Sequence, residues 1–534
     1  MDLAITLYNV DTNTFSFKVF IHNTTSSSYD LQYEQHNSTQ NPFIADLGES
    51  RGLNILLYKS NKRIYLTYNN NTNGFIENDF TNVIPDNLNL CDASAKYAAF
   101  PFLSPNANGY VDVDGDCLND LVIMSYDPVT GVKYLEIWKS IIEEGNIKYC
   151  LTSNNVYQLP NEVGLPSIVD VDRRAMPDLV FPIMNSYPPK IIIAYNKINL
   201  QYDWTDNYCD THKPISIKKD YVNAHIPTFY EQIKIDINNN FISTITIHKN
   251  SDLTFYIGND SNDNYYYPHY LRFVDINKDS YPDFITVLYN KSSRSKTPYV
   301  FLNQKLLYNK AFNGYERRTF SQEAMYSFLT ISNALVASFF DLGDKGQIDI
   351  IIIDSNHNNI GLYNHNVYDA YTIKSLLLFK NNCFYCNEFG STQRFITTNI
   401  DGSRRMDFSI QAAQSCVVGG LTLPYAYIGI GRSNNYLENF HIISGCFNER
   451  KNNDKVYTPV IPNSQLVIYH ENVNGKATSW KVDLIVKPTK NLKKLIVVIV
   501  LMIIVMTALT FHLQMKEREE DFKENKETFA PWFG

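Results

Sequence analysis

The sequence predicts an all-β chain: repeated sheets, then a second β-rich module, then one membrane-spanning helix. Three observations carry that prediction. An acidic nine-residue pattern recurs along the first 350 residues, short β-branched runs follow its copies, and Leu495 to Leu513 is almost uninterruptedly apolar.

The repeat comes first because it sets both fold and candidate chemistry. Asp112-Val-Asp114-Gly-Asp116-Cys-Leu-Asn-Asp120 and Asp275-Ile-Asn277-Lys-Asp279-Ser-Tyr-Pro-Asp283 both place oxygen-bearing side chains at positions 1, 3, 5 and 9. Weaker copies start at Asp46, Asp170, Asp236 and Asp341, so successive first aspartates lie 66, 58, 66, 39 and 66 residues apart. A four-stranded propeller blade takes about 40–50 residues, and blades with loop insertions account for the common period. Residues 1–370 are therefore expected to form a β-propeller, seven-bladed or one blade short. The 39-residue interval is too short for a blade plus its loop and points to a missing or split blade. Ile55–Tyr58, Leu121–Met124, Leu179–Pro182, Ile285–Tyr289 and Ile348–Ile353 are short, β-branched and bounded by polar turns, which favours strands over helices.

Carboxylates at alternate positions of a short turn supply the hard oxygens that calcium needs, six to eight at about 2.3–2.6 Å. The expected ligands are Asp112, Asp114, Asp116 and Asp120 in one turn, and Asp275, Asn277, Asp279 and Asp283 in the other. Backbone carbonyls of Leu118 and Tyr281, at position 7, complete each shell. An EF-hand is excluded: its glycine at position 6 is Cys117 or Ser280 here, its glutamate at position 12 is Ile123 or Thr286, and the flanks read as strand. Arg174 and Lys345 stand at position 5 of their copies, where a cation opposes a second cation. Turns of this pattern also form without metal by bonding their own backbone amides. Two full copies at matching places favour structural calcium, and Asp116→Ala is then expected to lower stability in calcium but not in chelator.

Composition narrows the partners. Net charge is −8 with no basic stripe, so nucleic acid is not an expected partner. About twenty apolar residues span a bilayer as a helix, and Leu495–Leu513 is interrupted only by His512 and threonines between lysine-bearing flanks. Lysines before the span (Lys487, Lys490, Lys493, Lys494) balance the basic residues after it (Lys516, Arg518, Lys523, Lys526), so charge counting leaves orientation open. Met1–Val10 shows no signal peptide, which by itself points to a tail-anchored protein. Weak calcium turns that fill outside the cytosol, sequons at Asn23, Asn37, Asn70, Asn259 and Asn290, and eight cysteines favour the lumenal or extracellular side. Cys383 and Cys386 read as a local disulfide, and Cys91, Cys117, Cys150 and Cys209 as pairing among the blades with connectivity open.

Three blocks carry a resemblance. The acidic turns are similar to the FG-GAP repeats of integrin α-subunit propellers. Leu423-Pro-Tyr-Ala-Tyr-Ile-Gly-Ile-Gly-Arg-Ser-Asn-Asn-Tyr-Leu437 is the second block, and Ile461-Pro-Asn-Ser-Gln-Leu-Val467 with Ser479-Trp480 is the third. In that order they resemble the T-cell immunomodulatory protein family, the integrin-α FG-GAP repeat-containing proteins. The resemblance implies a single-pass type I membrane glycoprotein of the plasma membrane or secretory pathway, acting in adhesion or immune modulation without catalysis. Its expected parts are a propeller (1–370), a membrane-proximal β-sandwich-like module (371–490), a transmembrane helix (495–513) and a short cytoplasmic tail (514–534). The chain departs from the pattern in its missing leader, its short interval and its degenerate turns.

Catalytic motifs are sparse. Gly429-Ile-Gly431 lacks the third glycine and βαβ setting of a dinucleotide site and reads as a tight turn between strands. No zincin, serine-hydrolase elbow or Walker motif occurs. Binding of an unidentified protein ligand is the leading expectation. The alternatives are a trafficking or assembly factor working through the tail and a propeller enzyme with an axial pocket.

Overall fold

The computed structural model describes the chain apart from residues 1–2, 10–13, 24–27, 39, 41, 46, 48–53, 70–73, 87–89, 105–106, 199–208, 210–215, 218–225, 236–237, 240, 257–270, 307–316, 323–330, 344–345, 357, 365–369, 382–383, 399–401, 403, 412–422, 433–435, 445–453, 474–475, 486–489 and 530–534. It is all-β up to Ile485 apart from short helical turns, and ends in one long helix.

Five consecutive sheets, antiparallel apart from a short parallel pairing of Ser216–Ile217, share the same hairpin, preceded in the fourth by Leu253–Phe255. Its first strands are Phe43–Ala45, Gly109–Val111, Ser167–Val169, Arg272–Val274 and Ala334–Phe340. Its second strands are Asn54–Lys59, Asp120–Tyr126, Asp178–Ile183, Asp283–Asn290 and Asp349–Asp354, which contain the apolar runs singled out above. The hairpin closes at one register throughout: Ala45 faces Asn54, Val111 faces Asp120, Val169 faces Asp178, Val274 faces Asp283 and Phe340 faces Asp349. The acidic pattern is that hairpin's turn. The Asp236 copy breaks the rule and explains the 39-residue interval. Asp236 itself lies outside the described residues, but the strand after it, Ile242–Thr246, is the fourth strand of the sheet that began at Ser167. No new sheet starts there.

The sheets pack face to face in chain order. Successive side chains of a strand point to opposite faces. Leu121 and Ile123 therefore join Phe43, Leu56 and Tyr65 of the sheet before, while Val122 and Met124 join Leu179, Phe181 and Ile192 of the sheet after. Val180 and Ile193 meet Phe284 and Phe301, and Ile285 and Val287 meet Val336, Ile350 and Ile352. Burial on both faces is why these runs are continuously apolar. A sheet at the N-terminus, Leu3–Asn9, Thr14–Asn23 and Ser28–Ser38, packs Phe17 and Val19 on Ile55, Leu57, Ile64 and Leu66. One ion pair crosses the apolar boundary between the 43–79 and 109–159 sheets. Arg63 grips Glu136 with two bonds of 2.9 Å, both side chains wholly buried.

Residues 371–485 form two sheets around one core. Phe384–Asn387, Tyr371–Asn381, Ser464–Val473 and Lys476–Ile485 make one, with Ala426–Gly431 also paired to Tyr371–Asn381. Arg404–Gln411, Ser391–Thr398, Asn439–Ile443 and Asp454–Tyr457 make the other. Ile373, Leu377, Ile428 and Leu466 from the first meet Phe395, Phe440 and Ile442 from the second, so the pair is a sandwich. Gly429 and Gly431 lie within the strand Ala426–Gly431, not in the tight turn that their spacing predicts.

Disulfides join Cys91 to Cys150 and Cys117 to Cys209. Cys383 lies outside the described residues. The segment 486–534 forms a separate compact unit, whose helix runs Lys490–Phe529. Its apolar stretch is long enough to cross a bilayer, and none of it is buried against protein. Thr507 and Thr510, its polar interruptions, donate to the carbonyls of Ile503 and Met506 and so leave no hydroxyl unmet in lipid.

Candidate metal centre

Each described turn is built by two carboxylates with backbone duties. The first aspartate closes the loop on itself. Asp112 accepts from the amides of Gly115 and Cys117 at 2.6 and 3.0 Å, Asp170 from Arg174 and Ala175 at 3.0 and 2.8 Å, and Asp275 from Asp279 and Ser280 at 3.0 and 2.6 Å. Asp341 does the same for Gly346 at 2.9 Å. These bonds fold the turn through left-handed backbone at position 4 (Gly115, Arg173, Lys278) and position 6 (Cys117, Ala175, Ser280, Gly346). A residue with a Cβ there costs about 1–2 kcal/mol, and the doubly accepting carboxylate holds the chain in place regardless.

The ninth residue is a strut. One oxygen of Asp120, Asp178, Asp283 and Asp349 accepts from the amide after the first aspartate (Val113, Val171, Ile276, Leu342) at 3.0–3.1 Å. The other oxygen accepts from an amide in the third strand, Ser140 or Asn303, or two residues past it, Asn196 or Asn364, at 2.8–2.9 Å. Asn196 and Asn303 then reach across to the preceding sheet, donating to the carbonyls of Val113 and Val171 at 2.9 and 3.0 Å. Sequence reasoning had given position 9 to metal alone and missed these asparagines. The recurring pairs Tyr195-Asn196, Leu302-Asn303 and Tyr363-Asn364 are the signal that could have found them.

The two full copies differ at their centres. In the Asp112 turn the ammonium of Lys139, from the third strand of the same sheet, lies 2.8 Å from Asp114, 2.9 Å from Asp116 and 3.3 Å from Asp120. Lys139 is wholly buried, and Arg394 from the sandwich stands 3.4 Å from Asp112. Burial alone would lower Lys139, but Asp114, Asp116 and Asp120 outweigh it and hold the group charged. Burial also drives Asp116 well up and Asp120 up to about 7, against the pull of Lys139. Both directions describe one cluster short of positive charge, and the ammonium is the part that the geometry fixes. A divalent ion does not fit beside it: its ligands are already turned on a cation, and two cations at that distance repel. Leu118 donates its amide to Asp116 at 3.0 Å and buries its side chain in the core.

The Asp275 turn has no such occupant. Among the described residues no ammonium or guanidinium forms an ion pair with Asp275, Asp279 or Asp283, and Leu302 stands at the register of Lys139. Trp138 faces Leu121 in one sheet as Phe301 faces Phe284 in the other. Burial, then neighbouring carboxylates, drive Asp275 and Asp283 well above the usual range, a repulsion that a bound cation relieves. Three carboxylates and the Asn277 amide form a hard oxygen set that fits calcium. The Tyr281 ring is flanked by the guanidinium groups of Arg318 and Arg173, 3.5 and 4.5 Å from its centre.

The degenerate copies carry their own cations. Arg174 bonds Asp172 at 2.7 Å and Asp178 at 3.2 Å. Lys374 reaches Asp341 at 3.4 Å, while Lys345 and Asp46 lie outside the described residues. Cys209, His441 and Asp454 also cluster, but the Cys209 sulfur is committed to its disulfide.

All four described turns touch the sandwich. Arg394 meets Asp112, Arg173 bonds Asp407 at 2.5 Å, and Tyr427 donates to the carbonyl of Gly346 at 3.2 Å. Gly429 lies so close to the Asp275 turn that a Cβ there would fall 1.7 Å from a carboxylate oxygen. A cavity of about 160 Å³ remains at this seat, with Asp170, Arg173, Arg272, Asp275 and Asp407 among its walls. Asp170 and Asp275 are occupied by their own backbones, and Arg173 by Asp407.

Residues 384–485 match the family model of the ITFG1 C2 domain. A T-cell immunomodulatory protein homolog of Plasmodium falciparum is 26% identical over 480 residues, covering 84% of this chain and 64% of that protein. The T-cell immunomodulatory protein of Homo sapiens is 24% identical over 452 residues, covering 79% and 65%. The chain resembles the T-cell immunomodulatory proteins over most of its length. It spans just under two thirds of the length of these two relatives. The matched C2 segment begins after Tyr371–Asn381, yet that strand sits between Phe384–Asn387 and Ser464–Val473 in the sandwich.

Proposed function

We propose that the chain is a single-pass membrane protein whose strand-built unit lies outside the cytosol and works by binding protein partners. In this reading the consecutive sheets are blades of an FG-GAP-type propeller, and calcium in the Asp275 turn, held by Asp275, Asn277, Asp279 and Asp283, stiffens the seat of the sandwich. The observation that carries it is the pairing of two disulfides in the strand unit with an apolar helix after it. Disulfides persist in oxidising compartments, and such a helix anchors what precedes it. At the seat cavity Arg173 is paired with Asp407, and Asp170 and Asp275 accept from their own backbone amides, which supports binding and bracing over turnover. The relatives' name speaks of T-cell modulation, and for this chain the corresponding role is surface recognition of a protein ligand.

Glycosidase treatment of the full-length protein from membranes tests the placement. A mobility shift that vanishes when Asn290, at the end of the strand Asp283–Asn290, is changed to Gln together with the other four sequon asparagines supports it. Full protection of the strand unit from glycosylation, with free thiols at Cys91 and Cys150, would refute it.

A further inference from the structure

We infer that Lys139 is the resident cation of the Asp112 turn, so that this turn keeps its shape with no divalent ion despite its complete set of acidic ligands. The inference stands on geometry. A metal at that turn would bind where the Lys139 ammonium already meets Asp114, Asp116 and Asp120 at 2.8–3.3 Å. Admitting the metal requires the ammonium to leave, yet the side chain is wholly enclosed. A buried charge stripped of its partners is strongly destabilising. Expelling the lysine therefore opposes metal binding as directly as the repulsion between two cations does.

The register of the sheets shows where the cation comes from. The residue before the amide that the position-9 carboxylate accepts is Lys139 in one sheet, Tyr195 in the next and Leu302 in the third. Where it is Tyr195, the cation comes from within the turn as Arg174, and where it is Tyr363, Lys374 of the sandwich reaches Asp341. Where it is leucine, no side-chain cation pairs with the turn among the described residues. At this register the Asp112 copy supplies the cation itself, and the Asp275 copy does not. The conclusion for the Asp112 turn holds whether or not the Asp275 turn takes calcium.

The test uses the full chain in detergent micelles, with calcium chloride or a chelator as the only variable. Reductive methylation read by peptide mass is expected to spare Lys139 in both conditions while labelling exposed Lys481. Labelling of Lys139 in calcium alone would mean that metal displaces the ammonium, and would overturn the inference. Asp116→Asn is expected to lower the melting temperature equally in calcium and chelator; a loss confined to calcium would also overturn it. Lys139→Met empties the cage, so it is expected to melt lower in chelator and to gain a calcium-dependent recovery larger than any wild-type shift. Failure of calcium to restore a folded Lys139→Met counts against a cation role. If that variant does not fold, the methylation and Asp116→Asn results decide. Asp279→Asn reads the other turn separately: it removes whatever calcium shift the wild type shows, and a wild type with no shift refutes calcium at Asp275 without touching Lys139.

Discussion

Replacing Arg63 by Met is expected to loosen the joint between the first two hairpin-led sheets by about 3–5 kcal/mol, the usual cost of removing one partner from a buried ion pair. The structure shows where that cost arises. Arg63 donates to both oxygens of Glu136 at 2.9 Å and to the carbonyl of Phe100 at 2.8 Å, and its guanidinium lies 5.0 Å from the centre of the Phe102 ring. Each hydrogen bond to a charged group contributes roughly 1.5–3 kcal/mol. Trp138 and Ser125 still donate to Glu136 in the variant, which offsets part of the loss. The stranded negative charge dominates what remains.

A chain of this size does not unfold in one step, so a local probe is needed. Hydrogen exchange of the Lys62–Asn69 and Lys133–Glu143 amides reports the opening of this joint. Adding Glu136→Gln to Arg63→Met removes the stranded charge, so the double variant is expected to recover at least about 1–2 kcal/mol relative to the sum of the single losses. Additive single losses, or an Arg63→Met cost below about 1 kcal/mol, would show that the pair carries no more weight than a surface contact.

Two further outcomes follow from the turns and their seat. Gly429→Ala sets a methyl group 1.7 Å from an Asp275 oxygen and 2.9 Å from the Lys278 Cα. It is expected to cost about 1–3 kcal/mol or more, read as a lower melting temperature, and an unchanged melt would refute the close seating. Burial raises Asp178 from its ordinary 3.8 to about 8, with Asp172 adding to the shift and Arg174 opposing it. A raised carboxyl contributes stability that is full below its unfolded value and lost as pH climbs through its folded value. The melting temperature in chelator is therefore expected to carry a decline between about pH 4 and 8 that Asp178→Asn flattens; equal slopes in variant and wild type would refute it.

The sheets were legible because their second strands are buried on both faces. Leu121–Met124 must be apolar at every position to fill two cores, and such a run reads as a strand without any knowledge of its neighbours. The turns were legible because position 1 needs a carboxylate to gather two amides. What the carboxylates do was less visible. Positions 1 and 9 bond the backbone as well as meeting a cation, positions 3 and 5 chiefly face the cation, and a linear pattern treats all four alike. Lys139 lies 19 residues beyond Asp120 and meets it only because the strands pair in register. The Asp236 copy misled for the same reason: its spacing matched the pattern, but the strand after it was already committed as the last of its sheet.

Separating these duties explains how an acidic turn keeps its shape around a side-chain cation. A turn whose first and ninth residues bond its own amides keeps its hairpin when positions 3 and 5 change, provided that the cation facing them changes too. Arg174 in one copy and Lys139 in another are two ways of supplying positive charge to the same geometry, one from inside the turn and one from the adjacent strand. The Asp275 copy keeps carboxylates at the seat of the sandwich, with Leu302 at the register of Lys139. A cation there acts on a joint inside the molecule, between Asp275 and the strand carrying Gly429, so its effect on any partner would pass through the angle and stiffness of that joint. A partner that bridged through the metal would first have to displace Gly429, whose backbone already covers Asp275.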